Sequence, residues 1–356
     1  MSEEILINVT PQETRVAVIE NGVLQEVHIE RARNRGIVGN IYKGRVVRIL
    51  PGMQAAFVEI GLERAAFLHA ADIRPWLENG ARPAPLETAG TNALARAPQG
   101  ASSAAPRIHE LLHEGQEIVV QVVKDPLGSK GARLTTQITL PARYVVFMPY
   151  TRHIGVSQKI GDEQERERLR ALMRAAVGDG DEGGYILQTA AETATEQEIR
   201  NDVVYLRRVW AACQERARAA KPGELIHEDL SLPLRAMRDL VRDNVEKIRI
   251  DSRETYQKAV EFAAEFIPEI ADRIEYYPGE RPIFDLYAVE DEIQKALAPK
   301  VLLKSGGYLV IDQTEAMTTI DVNTGAFVGR KNLEDTLFKT NLEAAQAIAR
   351  QLRLRN

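Results

Sequence analysis

The sequence predicts an α+β protein of several subdomains, and three observations carry the prediction. The first thirty residues alternate apolar and polar in the manner of a β-meander, with Asn21-Gly22 as a hairpin turn. Residues 35–137 hold a second set of short strands, broken by turn residues such as Pro51-Gly52 and Gly61, in the order of a small barrel. From Asp162 onward the apolar residues recur at helical spacing, with only short strands between. A chain of 356 residues exceeds one ordinary domain.

Each element follows from its local pattern. Ile5–Val9, Arg15–Ile19 and Val23–Ile29 alternate as three antiparallel strands, too few and too short to hold a core without helices from later in the chain. Asn40–Leu50, Ala55–Ile60, Ala65–Leu68, Glu117–Lys124 and Ala132–Gln137 are the expected barrel strands. Pro75–Pro106, rich in Ala, Pro and Gly, is expected to be a loop insertion between them. Asp162–Val177 and Thr195–Ala220 are amphipathic helices, and Gly183–Ala191 is a strand running into a polar turn. Leu234–Val245, Arg253–Phe266 and Val289–Leu297 are expected helices around a strand at Lys247–Ile250, all packing on the opening meander. Gly306 and Gly307 precede a strand rather than a helix, so they are expected to form a turn and not a phosphate loop. The helix Asn332–Arg355 carries Leu333, Leu337, Leu342, Ala345, Ile348 and Leu352 as an expected apolar stripe.

Composition narrows the function. Apolar residues make up 44% and charged residues 27%, as in ordinary globular proteins. No apolar run reaches the roughly 18 residues of a membrane-spanning helix. The start Met-Ser-Glu-Glu-Ile lacks a hydrophobic signal segment, and Cys213 is the only cysteine, so a cytoplasmic protein without disulfides is expected. The net charge of −5 argues against a nucleic-acid partner until its distribution is considered. Between Arg31 and Arg48 lie six basic residues (Arg31, Arg33, Arg35, Lys43, Arg45, Arg48) and no acidic one. A phosphate-tracking surface is a local property, so this run outweighs the sum. Phe57 and Phe67, with Lys43, Lys124 and Lys130 near strand ends, suit a barrel of OB type on which bases stack and phosphates meet lysines.

The chemistry concentrates near the end of the chain. Tyr308–Asp321 contains two apolar strands around a turn, and the second ends on a carboxylate with Asn323 two residues beyond. A strand-end carboxylate is suited to a divalent metal, although one carboxylate is seldom a whole site. Among the six histidines only His109 and His113 have helical spacing, and no third ligand accompanies them.

Longer strings identify a relationship. Gly39-Asn-Ile-Tyr-Lys-Gly-Arg45, Leu50-Pro-Gly-Met-Gln-Ala-Ala-Phe-Val58 and Val122–Thr136 resemble the ribonuclease E/G family, as do Ser305–Gly325, Thr340–Ala345 and Ala349–Arg355. The resemblance runs from end to end apart from 75–106. It implies an RNase H-like subdomain at 1–34 and 233–298, an inserted S1 (OB) barrel at 35–136, a 5′-sensor subdomain at 137–232, and the start of a DNase I-like catalytic subdomain at 299–356. It further implies an endoribonuclease that cuts single-stranded, often A/U-rich RNA, favours a 5′-monophosphate, trims the 5′ end of small-subunit ribosomal RNA and turns over messenger RNA.

Site residues follow position by position. Asp321 matches a catalytic aspartate that binds Mg²⁺, and Asn323 the asparagine that orients it. Phe57, Phe67 and Lys130 match RNA-binding residues of the S1 domain. Val146, Gln188 and Thr189 match the 5′-phosphate pocket, but Gln188 stands where the family has an arginine, and Gln158 where it has a second. Glutamine brings no charge, so a weaker preference for 5′-monophosphate is expected. The family's second catalytic aspartate, and the cysteine pair that shares a zinc between the protomers of a homodimer, match positions beyond Asn356. The chain is therefore expected to bind RNA with little nuclease activity of its own. A non-catalytic RNA-binding module is the alternative reading.

Overall fold

The computed structural model describes residues 2–73, 107–128, 130–178, 183–242, 244–325 and 333–355, with side chains of the last segment described from 337. The expected loop insertion at 75–106 lies outside the described residues. The chain forms two compact units, Met1–Arg35 with Ser231–Asn356, and Gly36–Leu230. Helices, a closed five-stranded barrel and open sheets make it a mixed α+β protein, and the barrel is consistent with an OB-like subdomain.

In the first unit the opening meander comprises Glu3–Val9, Glu13–Glu20 and Val23–Arg31. Asn21 (φ 49°) and Gly22 (φ 77°) both take the left-handed conformation that a two-residue turn needs. Val245–Ile250 adds in parallel to Glu3–Val9, and Ile274–Tyr276 adds in parallel beyond it, completing a five-stranded mixed sheet. Ile5, Leu6 and Ile7 are consecutive and fully buried, so both faces of the central strand are covered. On one face Leu6, Ala17, Ile19 and Leu24 pack with Ile283, Phe284 and Val289. The Arg15 guanidinium lies 4.7 Å from the Phe284 ring centre. The helices required by the short meander are thus supplied from later in the sequence.

One sequence reading is corrected here. The helix expected over Leu234–Val245 spans Leu232–Asp239, with Pro233 in its first turn, and Val245 opens the strand Val245–Ile250. Parallel pairing with Glu3–Val9 overrides the local helical pattern, a long-range effect that no short window contains. On the helix Leu333–Arg355, Ile348 of the expected apolar stripe packs at the edge of a core. Thr340, Ala344 and Gln351 face inward, whereas Leu337, Leu342 and Leu352 are exposed.

That helix covers a three-stranded antiparallel sheet of Lys300–Leu302, Tyr308–Gln313 and Thr318–Asn323. Leu303, Leu309, Ile311 and Ala344 form the core between them, with Val301, Ile320 and Ile348 at its edge.

The second unit combines the barrel with a four-stranded sheet. Ile41–Leu50, Ala55–Glu59, Ala66–His69, Arg133–Thr135 and Glu117–Lys124 pair in that order, and the last pairs back with the first to close the barrel. Its interior is filled by Val46, Ala56, Val58, Leu68, Val120, Val122 and Leu134. Leu225–His227 adds outside the closed ring, pairing with Ile41–Leu50. The second sheet runs Ile154–Val156, Gly184–Leu187, Val145–Met148, Leu140–Pro141. The helices Glu163–Val177 and Glu196–Ala219 pack against it, started by Asp162 and by the Thr195/Glu198 capping box. The buried Asp202 carboxylate accepts hydrogen bonds from the backbone N–H of Tyr144 (2.7 Å) and Val145 (3.1 Å), tying the longer helix to the sheet.

Replacing Phe284 by Ala should cost about 3–5 kcal/mol, the usual range for an aromatic ring removed from a core. Urea unfolding followed by far-ultraviolet circular dichroism measures this, and an unchanged midpoint would contradict the packing described. In the second unit, burial and the positive charge of Arg216 push the His227 imidazole down to about 4 from its ordinary 6.5. Below pH 6.5 the unfolded chain takes up a proton that the folded chain refuses, so this contribution to stability declines as pH falls from 6.5 toward 4. The unfolding midpoint of His227→Gln should therefore fall less steeply across that window than that of the unaltered chain.

Candidate nucleic-acid interface and metal centre

Cross-strand register decides which side chains meet. On the barrel, Arg48 pairs with Phe57, Phe57 with Phe67, Phe67 with Arg133, and Arg133 with Lys124. Paired residues point to the same side of a sheet, so these five form one row across the outer surface. Ala56, Val58, Ala66 and Leu68, which alternate with the two phenylalanines, are buried in the barrel. The rings are half-buried, 6.3 Å apart between centres and inclined at 71°. The His69 ring lies 6.5 Å beyond Phe67.

Lys130 is exposed on the short turn that leads into Gly131 and Ala132. The Phe67 N–H donates to the Ala132 carbonyl at 2.7 Å, so this turn joins the barrel beside the aromatic pair. Arg133 is held at 2.8 Å by Asp72, and Lys43 at 3.2 Å by Glu117. Of the basic run, Arg45 and Arg48 are exposed on the barrel. Such a surface offers π-faces flanked by cations, which suits a single strand whose bases stack while its phosphates meet positive charge. Arg133 was missed in the sequence, because only pairing across strands sets it beside Phe67.

The four-stranded sheet collects the second group. Ile154–Val156 and Gly184–Leu187 run parallel, and their C-terminal ends lead to Gln158 and to Gln188 and Thr189. Val146 pairs with Ile186 on the neighbouring antiparallel strand. Thr189 and Gln158 are exposed. The Gln188 Nε2 donates to the Ala142 carbonyl at 2.9 Å, so that donor is engaged in holding the backbone. Arg143, also missed in the sequence, brings a positive charge close by, its guanidinium 4.8 Å from the Tyr144 ring centre.

In the other unit, Asp321 pairs with Val310 and Asn323 with Tyr308 on the three-stranded sheet. Both point away from the core that holds Leu309 and Ile311. Asp321 is exposed, and the Asn323 side-chain amide donates to its Oδ2 at 2.8 Å. This bond fixes the carboxylate and leaves the amide oxygen of Asn323 pointing elsewhere. Behind the strand end, Gly306 and Gly307 form the expected turn. A Cβ on Gly307 would lie 2.7 Å from the Asn323 carbonyl, and Gly325, at φ +58°, leaves room for the Gly306 carbonyl. Among the described residues, no group of three or more His, Cys, Asp or Glu side chains could hold a metal. An exposed, oriented carboxylate nevertheless fits Mg²⁺, which takes one or two carboxylates and completes its shell with water and substrate phosphate.

Comparison with known proteins places these features in context. The Ribonuclease E/G family model matches residues 139–356. The chain is 56% identical to ribonuclease G of Salmonella typhimurium over all of its length and 69% of the relative's. It is 54% identical to ribonuclease G of Haemophilus influenzae, over 99% of its own length and 68% of the relative's. Ribonuclease E of Haemophilus influenzae is 36% identical over 99% of this chain and 36% of that protein.

Proposed function

This chain belongs to the ribonuclease E/G family, and we propose that it binds single-stranded RNA on its barrel and supplies Asp321 and Asn323 to a Mg²⁺-dependent phosphodiester-cleaving centre. The observation that carries the proposal is the 2.8 Å bond that fixes an exposed carboxylate on an open sheet face. Its substrates would be precursors of small-subunit ribosomal RNA and messenger RNA, as the family resemblance implies. The subdomain assignment proposed with it takes 1–34 and 233–298 as RNase H-like, 35–136 as S1, 137–232 as the 5′ sensor and 299–356 as part of a DNase I-like catalytic subdomain. The five-stranded mixed sheet and the closed barrel support this division.

Each group has a task in this reading. Phe57 and Phe67 stack on bases, while Lys130 and Arg48 meet phosphates and hold the strand extended. Asp321 offers carboxylate oxygens to the metal, and Asn323 keeps them pointed outward. When bound, the metal supplies an activated water and neutralises charge at phosphorus. Val146, Gln188 and Thr189 would receive the 5′ end of the RNA. Gln188, neutral and bonded to the Ala142 carbonyl, grips a phosphate less firmly than a guanidinium fork would.

Gel analysis of 5′-labelled, A/U-rich single-stranded RNA tests the centre. In a form extended through the second catalytic aspartate that the resemblance implies, Mg²⁺-dependent cleavage should disappear in Asp321→Asn, with RNA affinity nearly unchanged. Binding without Mg²⁺-dependent cleavage by the extended, otherwise unaltered form would leave only the RNA-binding module. Phe57→Ala should weaken RNA binding by about 1–3 kcal/mol, the range for loss of one stacked base. At the sensor end, Gln188→Arg should increase the preference for 5′-monophosphorylated over 5′-hydroxyl RNA in competition binding. An equal ratio in both forms would remove Gln188 from the sensor.

A further inference from the structure

The open face of the three-stranded sheet carries more than the carboxylate and its amide. Alternation and register place Lys300, Leu302, Tyr308, Val310, Asp312, Thr319, Asp321 and Asn323 on one side. The buried residues Leu309 and Ile311, with Val301 and Ile320, occupy the other. Tyr308 is the direct cross-strand partner of Asn323, and Leu302 is its partner on the opposite strand. Lys300 pairs with Val310, which in turn pairs with Asp321. The Lys300 Nζ lies 3.9 Å from the centre of the Tyr308 ring. Leu302, the neighbour of that ring, is 76% exposed.

Among the described residues, an aromatic ring, an aliphatic side chain and an unburied ammonium group share a face that packs against no core. Adjacent strands are about 4.8 Å apart, so Tyr308 stands one strand spacing from Asn323, and Lys300 two spacings, about 10 Å, from Asp321. A lysine side chain spans much of that second distance. Aromatic faces stack on any nucleobase, and an ammonium group is a compact partner for a phosphate.

We propose that Tyr308 and Lys300 form a nucleotide platform beside Asp321. Tyr308 stacks on a base flanking the scissile phosphate, and Lys300 meets a neighbouring phosphate. The platform rests on the reading of Asp321 and Asn323 as part of an RNA-cleaving centre, and it names the groups that seat the substrate there. It acts through binding and position, and no proton or metal step passes through either residue. The cation held over the ring in the free protein keeps the two side chains at one place on the sheet, so both are at hand when RNA arrives.

Fluorescence anisotropy with a short, labelled, A/U-rich single-stranded RNA tests the platform in the full chain. Tyr308→Ala should raise Kd roughly five- to hundredfold, the range for one lost stacking contact, whereas Tyr308→Phe keeps the ring and should retain the affinity. Lys300→Gln should lower the slope of log Kd against log salt by about 1, because one phosphate contact is lost. A stabilising ring–cation contact alone would shift the unfolding midpoint in Tyr308→Ala and Lys300→Gln yet leave Kd and its salt slope unchanged, which overturns the proposal. Phe57→Ala separates the two levels of inference. If it weakens binding while Tyr308→Ala and Lys300→Gln do not, the platform fails and the RNA-binding reading stands. If the unaltered chain shows no affinity for the RNA, both fail.

Discussion

The placement of the candidate cleavage centre depends on a register. Thr318–Asn323 pairs with Tyr308–Gln313 without a bulge, and Leu309, Ile311 and Ile320 turn toward the covering helix. Because side chains alternate along a strand, burying those three obliges Asp321 and Asn323 to face outward. A slip of one residue would put the carboxylate into the apolar core, where an unpaired charge is strongly disfavoured. The hydrophobic contacts of Ala344 and Ile348 therefore do more for the orientation of Asp321 than any direct contact to it. The amide of Asn323 then selects a rotamer within a direction the core has already chosen.

Closure of the barrel imposes a similar discipline on the other unit. Five strands pair in a ring, and the rows of side chains around it are fixed by where that ring closes. One such row aligns Arg48, Phe57, Phe67, Arg133 and Lys124. The residues come from five separate strands, so the surface exists only when the whole barrel has formed. Small residues such as Ala56 and Ala66 fill the interior behind the strands that bear the phenylalanines.

Much of this was legible in the sequence, for identifiable reasons. The meander, the barrel strands and the capped helices are written in local alternation, turn residues and N-caps, and most bounds agree with the structure to within a few residues. Pairing between distant segments was not legible. It turned the end of the helix expected at Leu234–Val245 into the strand Val245–Ile250, because Glu3–Val9 offers a parallel edge far away in the chain. On Leu333–Arg355 the sequence shows an apolar stripe but not which neighbour each residue meets: Ala344 and Ile348 pack with the sheet, while Leu337, Leu342 and Leu352 are exposed. Asp321, Asn323, Phe57 and Phe67 stood out by motif. Arg133, Arg143, Tyr308 and Lys300 acquire meaning only from neighbours the linear sequence does not show.

The tight approach of Gly307 to the Asn323 carbonyl has a mechanical meaning. The turn and the end of the carboxylate-bearing strand touch through backbone alone, with no side chain between them to act as a spring. A side chain at Gly307 would press on that carbonyl and shift Asn323, and with it the amide that holds Asp321. The strand end that bears the carboxylate thus tolerates no side chain at Gly307, a residue that carries no chemistry of its own. Residues without functional groups govern the geometry of those that have them.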